Sequence, residues 1–309
     1  MLQMPNDSGS RIDGTERVDL SDRWEDVRSL LRLIYGLLIT LPGRWSPDTV
    51  DRFGGPLKVA AKYEVDSVLC QLAPIIERDW PSQYEDWVRR EAGIKRTHSR
   101  IETSNKGHSI SYVPRSKFQD PAAVIQVAQK AQLNSVLPAA YYDLSRILLR
   151  PPRYMRTSSR WADAKLLDRD DLERLTVGRE RIADHLRGKL EGNATTNPFM
   201  RIILHGRQRA PGRCHAHGDC QGVLNDWSKN NNTIAYWSKE RHLRAPLETL
   251  EELAECLQQG KSAHLVALCL PCRVDCAALL RRKAKVLWQK IPEYFELDSL
   301  PFWTPPTSD

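Results

Sequence analysis

A mainly α-helical fold is predicted for this chain, and three observations predict it. Apolar residues recur at helical spacing, as in Val27, Leu30, Leu31, Ile34, Tyr35 and Leu38, which fall on one stripe. A helix–turn–helix pattern is spelled twice: Leu57 to Leu69 is echoed by Ile125 to Leu137 without a gap, at a constant offset of 125 − 57 = 68 residues. Helix start and stop signals punctuate the rest, among them Asp120-Pro121, Asp168 and Gly260.

In the repeat, Val59/Val127, Ala60/Ala128, Lys62/Lys130, Ser67/Ser135, Val68/Val136 and Leu69/Leu137 are identical. Ala60 and Ala128 are small enough to admit a neighbouring helix. Val65 and Leu133 plug the turns, and Ser67 and Ser135 read as N-caps of the helices that follow. Two copies are too few for a solenoid array.

The chain has 309 residues, 41% hydrophobic, enough for two or three domains with buried cores, and its 46 basic and 39 acidic residues leave a net charge of +7. The basic excess is small against the total, and mixed Arg/Glu stretches read as solvated helix faces. No apolar run approaches the ~20 residues of a bilayer span, and the opening residues lack a basic stretch followed by an apolar core. No membrane is expected, and a cytoplasmic or nuclear location is. In that setting cysteines are thiols or metal ligands more often than disulfides. Phosphate-loop, Gly-x-Ser-x-Gly and His-Glu-x-x-His patterns are absent from the sequence.

In chain order, residues 1–14 are polar, and Val18 and Leu20 alternate as in a short strand. The stripe from Val27 to Leu38 reads as core. The Gly54-Gly-Pro56 break opens the first hairpin, with Pro56 at a first helical position. A helix follows Ser82 to about Glu91. Residues 94–116, with Lys95-Arg-Thr-His-Ser-Arg100, read as an exposed loop. Asp120 and Pro121 start the second hairpin, and Arg150-Pro-Pro-Arg stops it. Asp168 caps a short helix, and His185 reads as a surface or packing histidine, not a ligand. A helix from Pro246 ends at Gly260, and a long basic helix follows Cys272.

Six of the seven cysteines lie after residue 199. Cys214, Cys220, Cys269 and Cys272 form two pairs about fifty residues apart, the second a Cys-x-x-Cys turn containing a proline. Such a turn points two sulfurs at one ion, and a second pair closes the tetrahedron that zinc prefers. One structural zinc ion is expected on these four. His217 is the alternative ligand to Cys220, and Cys276 competes from one turn beyond Cys272. Ordinary thiols are the competing account. Cys70 and Cys256 read as packing residues. A nucleophilic cysteine would need a base such as His215 or His264, and no pattern fixes that geometry. The cluster Arg281, Arg282, Lys283 and Lys285 reads as the outer face of a packed helix, with a nucleic-acid-binding zinc module as the alternative.

Together these motifs resemble the BTB-domain (POZ) proteins of mushroom-forming basidiomycete fungi. The resemblance is carried by Val18 to Tyr35, by Leu57-Lys-Val-Ala-Ala-Lys-Tyr-Glu-Val, and by Ile76-Glu-Arg-Asp-Trp-Pro81. It continues through Asp120 to Ile125, Ser135 to Ser145, the late Cys-x-x-Cys pair and Leu287-Trp-x-x-Ile-Pro-Glu-Tyr-Phe-x-Leu297. It implies helical hairpins from the C-terminal part of a BTB domain (residues 1–92), a linker (93–119), a BACK-like helical region (120–191) and a cysteine-containing helical domain (192–309). It further implies a non-enzymatic adaptor or scaffold whose partners are other proteins, by self-association or through a cullin-type ubiquitin ligase, and for which nucleic acid is not the expected ligand. The front half of the family's fold, with most of its dimerising surface, precedes the motif that starts here at Val18.

Overall fold

The computed structural model describes residues 11–12, 15–16, 19–36, 40–104, 118–147, 149, 162–188, 219–229, 244–260 and 268–300. A two-residue antiparallel pairing joins β1 (Arg11–Ile12) to β2 (Thr15–Glu16), with Arg11 opposite Glu16. Among the described residues all other regular structure is helical, which bears out the expected class. The strand expected around Val18 and Leu20 is not formed at Leu20, and Val18 lies outside the described residues.

The front half comprises α1 (Trp24–Ile34), α2 (Asp48–Lys62), α3 (Asp66–Asp79) and α4 (Tyr84–Ser104). α5 (Pro121–Lys130) and α6 (Leu137–Arg146) form the second hairpin, and α7 is Arg169–Gly188. The remaining helices are α8 (Asp219–Lys229), α9 (Pro246–Gln259), α10 (Leu270–Gln289) and α11 (Ile291–Tyr294).

The two hairpins are built alike down to their hydrogen bonds. Val65 N–H donates to Ala60 O and Leu133 N–H to Ala128 O, both at 2.8 Å, and Glu64 and Gln132 each take a left-handed φ of 56°. Glu64 and Gln132 donate back to Ala61 and Gln129, each at 3.3 Å. This is the Schellman arrangement, in which a left-handed residue lets the last carbonyls of a helix find donors. The residues between the copies are buried in register: Leu57 with Ile125, Val59 with Val127, Ala60 with Ala128, Val68 with Val136. α2 packs on both α3 and α5, so the first helix of each copy meets the other across the core. Gly54 makes this approach possible, because a Cβ there would stand 2.7 Å from Val127 Cγ2.

Several local expectations are corrected. Ser67 and Ser135 are not the caps: Val65 precedes α3 with no side-chain cap, and Ser135 lies in the 3-10 turn Asn134–Val136, where its hydroxyl donates to Glu77 Oε1 at 2.7 Å. The Schellman turn brings the chain directly into the next helix, so a serine cap has no task there. Pro56 does not start a helix but lies inside α2, where the burial of Phe53, Pro56 and Leu57 offsets a lost helical hydrogen bond. α4 does not stop near Glu91 but runs to Ser104, through the first part of the expected loop. Its extension is held by buried Ile94 and by Gly93, whose missing Cβ leaves room for the Trp45 ring, and Lys95 Nζ donates to Glu252 at 3.2 Å. Residues 105–117, and the stop at Arg150, lie outside the described residues. The caps at Asp120, whose Oδ1 accepts from Ala122 N–H at 3.0 Å, and at Gly260, with φ 63°, are as expected. Asp168 Oδ1 accepts from Asp171 N–H at 2.8 Å, and the helix it opens is long rather than short. His185 packs on Tyr294, ring centroids 5.7 Å apart.

At the centre lies a charged network with no counterpart in the sequence reading. Arg90 donates to Asp79 O (3.1 Å), Glu91 Oε1 (2.9 Å) and Asp143 Oδ2 (3.1 Å), with its guanidinium 4.2 Å from the Trp80 ring centroid. Arg146 grips Glu91 with two donors at 3.0 and 3.1 Å, donates to Asp143 Oδ1 at 2.5 Å, and pairs with Glu248 of α9. Burial alone would lower the Arg146 guanidinium, but the Glu91 and Asp143 carboxylates outweigh it and hold it above its ordinary value. Around these charges Trp87 meets Tyr84, Tyr142 and Trp288 at 5.9, 5.7 and 5.6 Å. Tyr142 donates to Glu248 Oε2 at 2.8 Å and receives Leu247 N–H at 3.1 Å, while Tyr84 donates to Glu251. Burial is the main force raising both phenols. The network thereby fastens α9 and α10 to α4 and α6.

Two outcomes follow. Replacing Arg146 with Ala takes the cation from Glu248 and leaves Arg90 as the remaining partner of Glu91 and buried Asp143, and should destabilise the protein by about 3–5 kcal/mol in chemical denaturation. Gln132→Gly relieves a left-handed side-chain clash of ~1–2 kcal/mol against a glycine entropy of roughly 0.5–1 kcal/mol, so the midpoint should rise.

Candidate functional site

The cysteine cluster is assembled from two elements distant in sequence. Cys269 is the N-cap of α10 and Cys272 lies in its first turn, with Pro271 between them among the opening residues, where a missing amide donor is harmless. Cys220 comes from the first turn of α8 and is fully buried. The sulfurs of Cys220, Cys269 and Cys272 all lie within 4.8 Å of one another. Cys269 N–H donates to Cys220 Sγ at 3.3 Å, so the backbone at the head of α10 already supports sulfur from α8. The positive end of the α10 dipole favours negative charge on these sulfurs.

This donor set fits a thiophilic ion. Tetrahedral bonds of ~2.3 Å to zinc place sulfurs roughly 3.8 Å apart, so a slight contraction of the observed triad suffices. Three of the four expected ligands therefore converge, and the buried triad could hold a metal ion. Cys214 lies outside the described residues, as do His217, the alternative to Cys220, and His215 and His264. Cys276 is buried one turn further along α10 and is not one of the converging sulfurs. Cys70, expected to pack, is instead exposed on α3, and Cys256 is half-buried on α9. No disulfide joins the described cysteines. What the sequence reading missed is the Cys269 amide bonding to sulfur, a contact across 49 residues that no local spacing announces.

A second feature lies on α1. The stripe expected to be core is buried at Leu30, 5% exposed, and half-buried at Val27, but its other edge is open: Trp24 is 61%, Leu31 45%, Ile34 48% and Tyr35 77% exposed. Trp24, Leu31 and Tyr35 sit seven and eleven residues apart, hence on one line along the helix. α1 rests on α2 and α3 by its inner edge, and nothing among the described residues covers the outer one. Leu20 and Leu41, at either end, are exposed too. Beside the helix a groove of about 730 Å³ runs between α1 and α2, lined by mixed charges including Arg23, Asp26, Arg32, Asp51 and Arg52. Asp22, just before α1, ties the segment to the first hairpin by accepting from Lys62 Nζ at 2.8 Å and Tyr63 OH at 2.7 Å.

The basic cluster of α10 is partly engaged in packing. Arg281 donates to Glu251 at 3.2 Å and Gln258 at 3.0 Å, and Lys285 to Glu85 at 2.7 Å, while Arg282 and Lys283 are exposed. The Lys285 bond holds Glu85 below the usual carboxylate range.

The class these features define is a mainly helical protein whose described residues bring three cysteines, two buried and one half-buried, together near the C-terminal end. Searches of protein-family models, curated proteins and solved structures find no match to the chain. Among the described residues no helix is long and apolar enough to cross a membrane.

The Lys62 hydrogen bond, followed by that from Tyr63, holds the Asp22 carboxyl below its ordinary value. Its contribution is therefore present above the ordinary carboxylate range and disappears as pH falls through the lowered folded-state value. The stability difference between wild type and Asp22→Asn should stay under about 1 kcal/mol near neutral pH and vanish in acid, measured by denaturation at a series of pH values.

Proposed function

We propose that this chain is a non-enzymatic protein-interaction module of adaptor or scaffold type, in keeping with its resemblance to BTB-domain proteins, and that α1 presents its binding face. The observation that carries the reading is the open apolar edge of α1. A line of Trp24, Leu31 and Tyr35 standing in water is unfavourable unless another surface covers it, and aromatic residues are the side chains that anchor protein interfaces. Other proteins are the partners in this reading, with self-association and engagement of a cullin-type ubiquitin ligase as the two classes the resemblance implies. One structural zinc ion belongs to the same reading, held by Cys220, Cys269 and Cys272 with Cys214 as fourth ligand. Its task there is to hold helices, with no reaction of its own.

The test pairs wild type with Leu31→Asp/Tyr35→Asp, which alters only exposed positions, one in α1 and one at its C-cap. Sedimentation over a concentration series reads self-association, and affinity capture from the source cells reads other partners. Wild type should self-associate or retain specific proteins, and the variant should lose this while its melting temperature stays unchanged. Identical sedimentation and identical retained proteins for both would remove the reading.

A further inference from the structure

We infer that the ion held by Cys220, Cys269 and Cys272 is the clamp that keeps α8 ordered against α10. The inference rests on the zinc reading of the cluster and adds what the ion does.

α8 has 11 residues, below the roughly 12–15 at which an isolated helix is even marginal in water. Of its described side chains, Cys220 and Leu224 are buried, Val223 is half-buried, and Gly222, Asn225 and Asp226 face solvent. Among the described side chains of α8 the fully buried apolar surface is that of Cys220 and Leu224, and a helix of this length depends on tertiary contacts to stay ordered. α10 is the opposite case: 20 residues long, packed along α9, and buried at Cys276, Ala277, Leu280, Ala284, Leu287 and Trp288. The triad joins the short helix to the long one. Two of its sulfurs belong to the head of α10, and the third, with Leu224, is one of the fully buried side chains among those described in α8. An ion across them replaces one N–H to sulfur contact with metal–thiolate bonds, each thiol releasing its proton to solvent on binding. The ligand class is a soft, tetrahedral divalent cation, zinc before the harder magnesium or calcium, because all three described donors are sulfur.

The experiment uses the full chain and two readouts. Metal analysis of purified protein should give one zinc per chain, and cobalt(II) exchanged into the site should show thiolate charge-transfer bands with tetrahedral d–d absorption. Cys220→Ser and Cys272→Ser should lose these bands, and Cys256→Ser should keep them. Hydrogen exchange then compares protein in zinc chloride with chelated protein. With free zinc at about 100 times its dissociation constant, amides of α8 should exchange roughly a hundredfold faster after chelation, while those in the middle of α10 should change little. Absence of a bound ion in wild type overturns both the zinc reading and the clamp. One bound zinc with unchanged exchange in α8 leaves the zinc reading standing and overturns the clamp. Equal acceleration throughout α10 also overturns it, because the ion would then hold the whole C-terminal unit.

Discussion

Two buried arginines organise this protein. Arg90 and Arg146 stand inside a ring of aromatic side chains, facing Asp143, Glu91 and Glu248, and between them they touch α3, α4, α6 and α9. Taking these charges out of water is expensive, and only the complete set of partners offsets the desolvation. The arrangement therefore tolerates few alternatives. If α9 slid by one residue, Glu248 would leave Arg146 and Tyr142 together, so the ionic set acts as a register pin for an otherwise adaptable apolar contact. The nearby bonds Tyr84 to Glu251, Lys285 to Glu85 and Trp288 to Ser82 O all follow from that register.

The repeated hairpins supply the frame on which the network is hung. Each turn reverses the chain through a non-glycine residue in the left-handed region, a conformation held because the following Val65 or Leu133 closes the helix end from outside. The copies diverge where the frame is used. Ile75, buried on α3, stands opposite Asp143 on α6, so the same structural position is apolar in one hairpin and carries the central carboxylate in the other. Repetition set the shape, and divergence turned one copy towards the C-terminal helices.

The cluster and the α1 face lie at the margins of this frame. The three sulfurs lie at the join between a long helix packed along α9 and a short one of 11 residues. α1 is half-seated, fixed by Leu30 and Val27 and by the Asp22 bonds, with its aromatic edge turned outward. Such edges of low local packing are where proteins meet partners without disturbing their cores.

Amino-acid order alone determined what depends on neighbours a few residues apart. The hairpin echo, the Asp120-Pro121 start, the Gly260 stop and the Cys269-x-x-Cys272 pair were legible because helical periodicity and capping act within one or two turns. It misjudged Ser67, Ser135 and Pro56, where several local solutions compete and burial chooses. It also misjudged α1, since a stripe of period 3.6 reports which residues share a face and not how much of that face finds a neighbour. Only the tertiary structure decided the rest: that Arg146 reaches Glu91 across 55 residues, that Tyr84 meets Glu251 across 167, and that Cys220 is the sulfur joining Cys269. These pairings are selected by the simultaneous burial of many side chains, a condition on the whole chain that no single stretch of sequence carries.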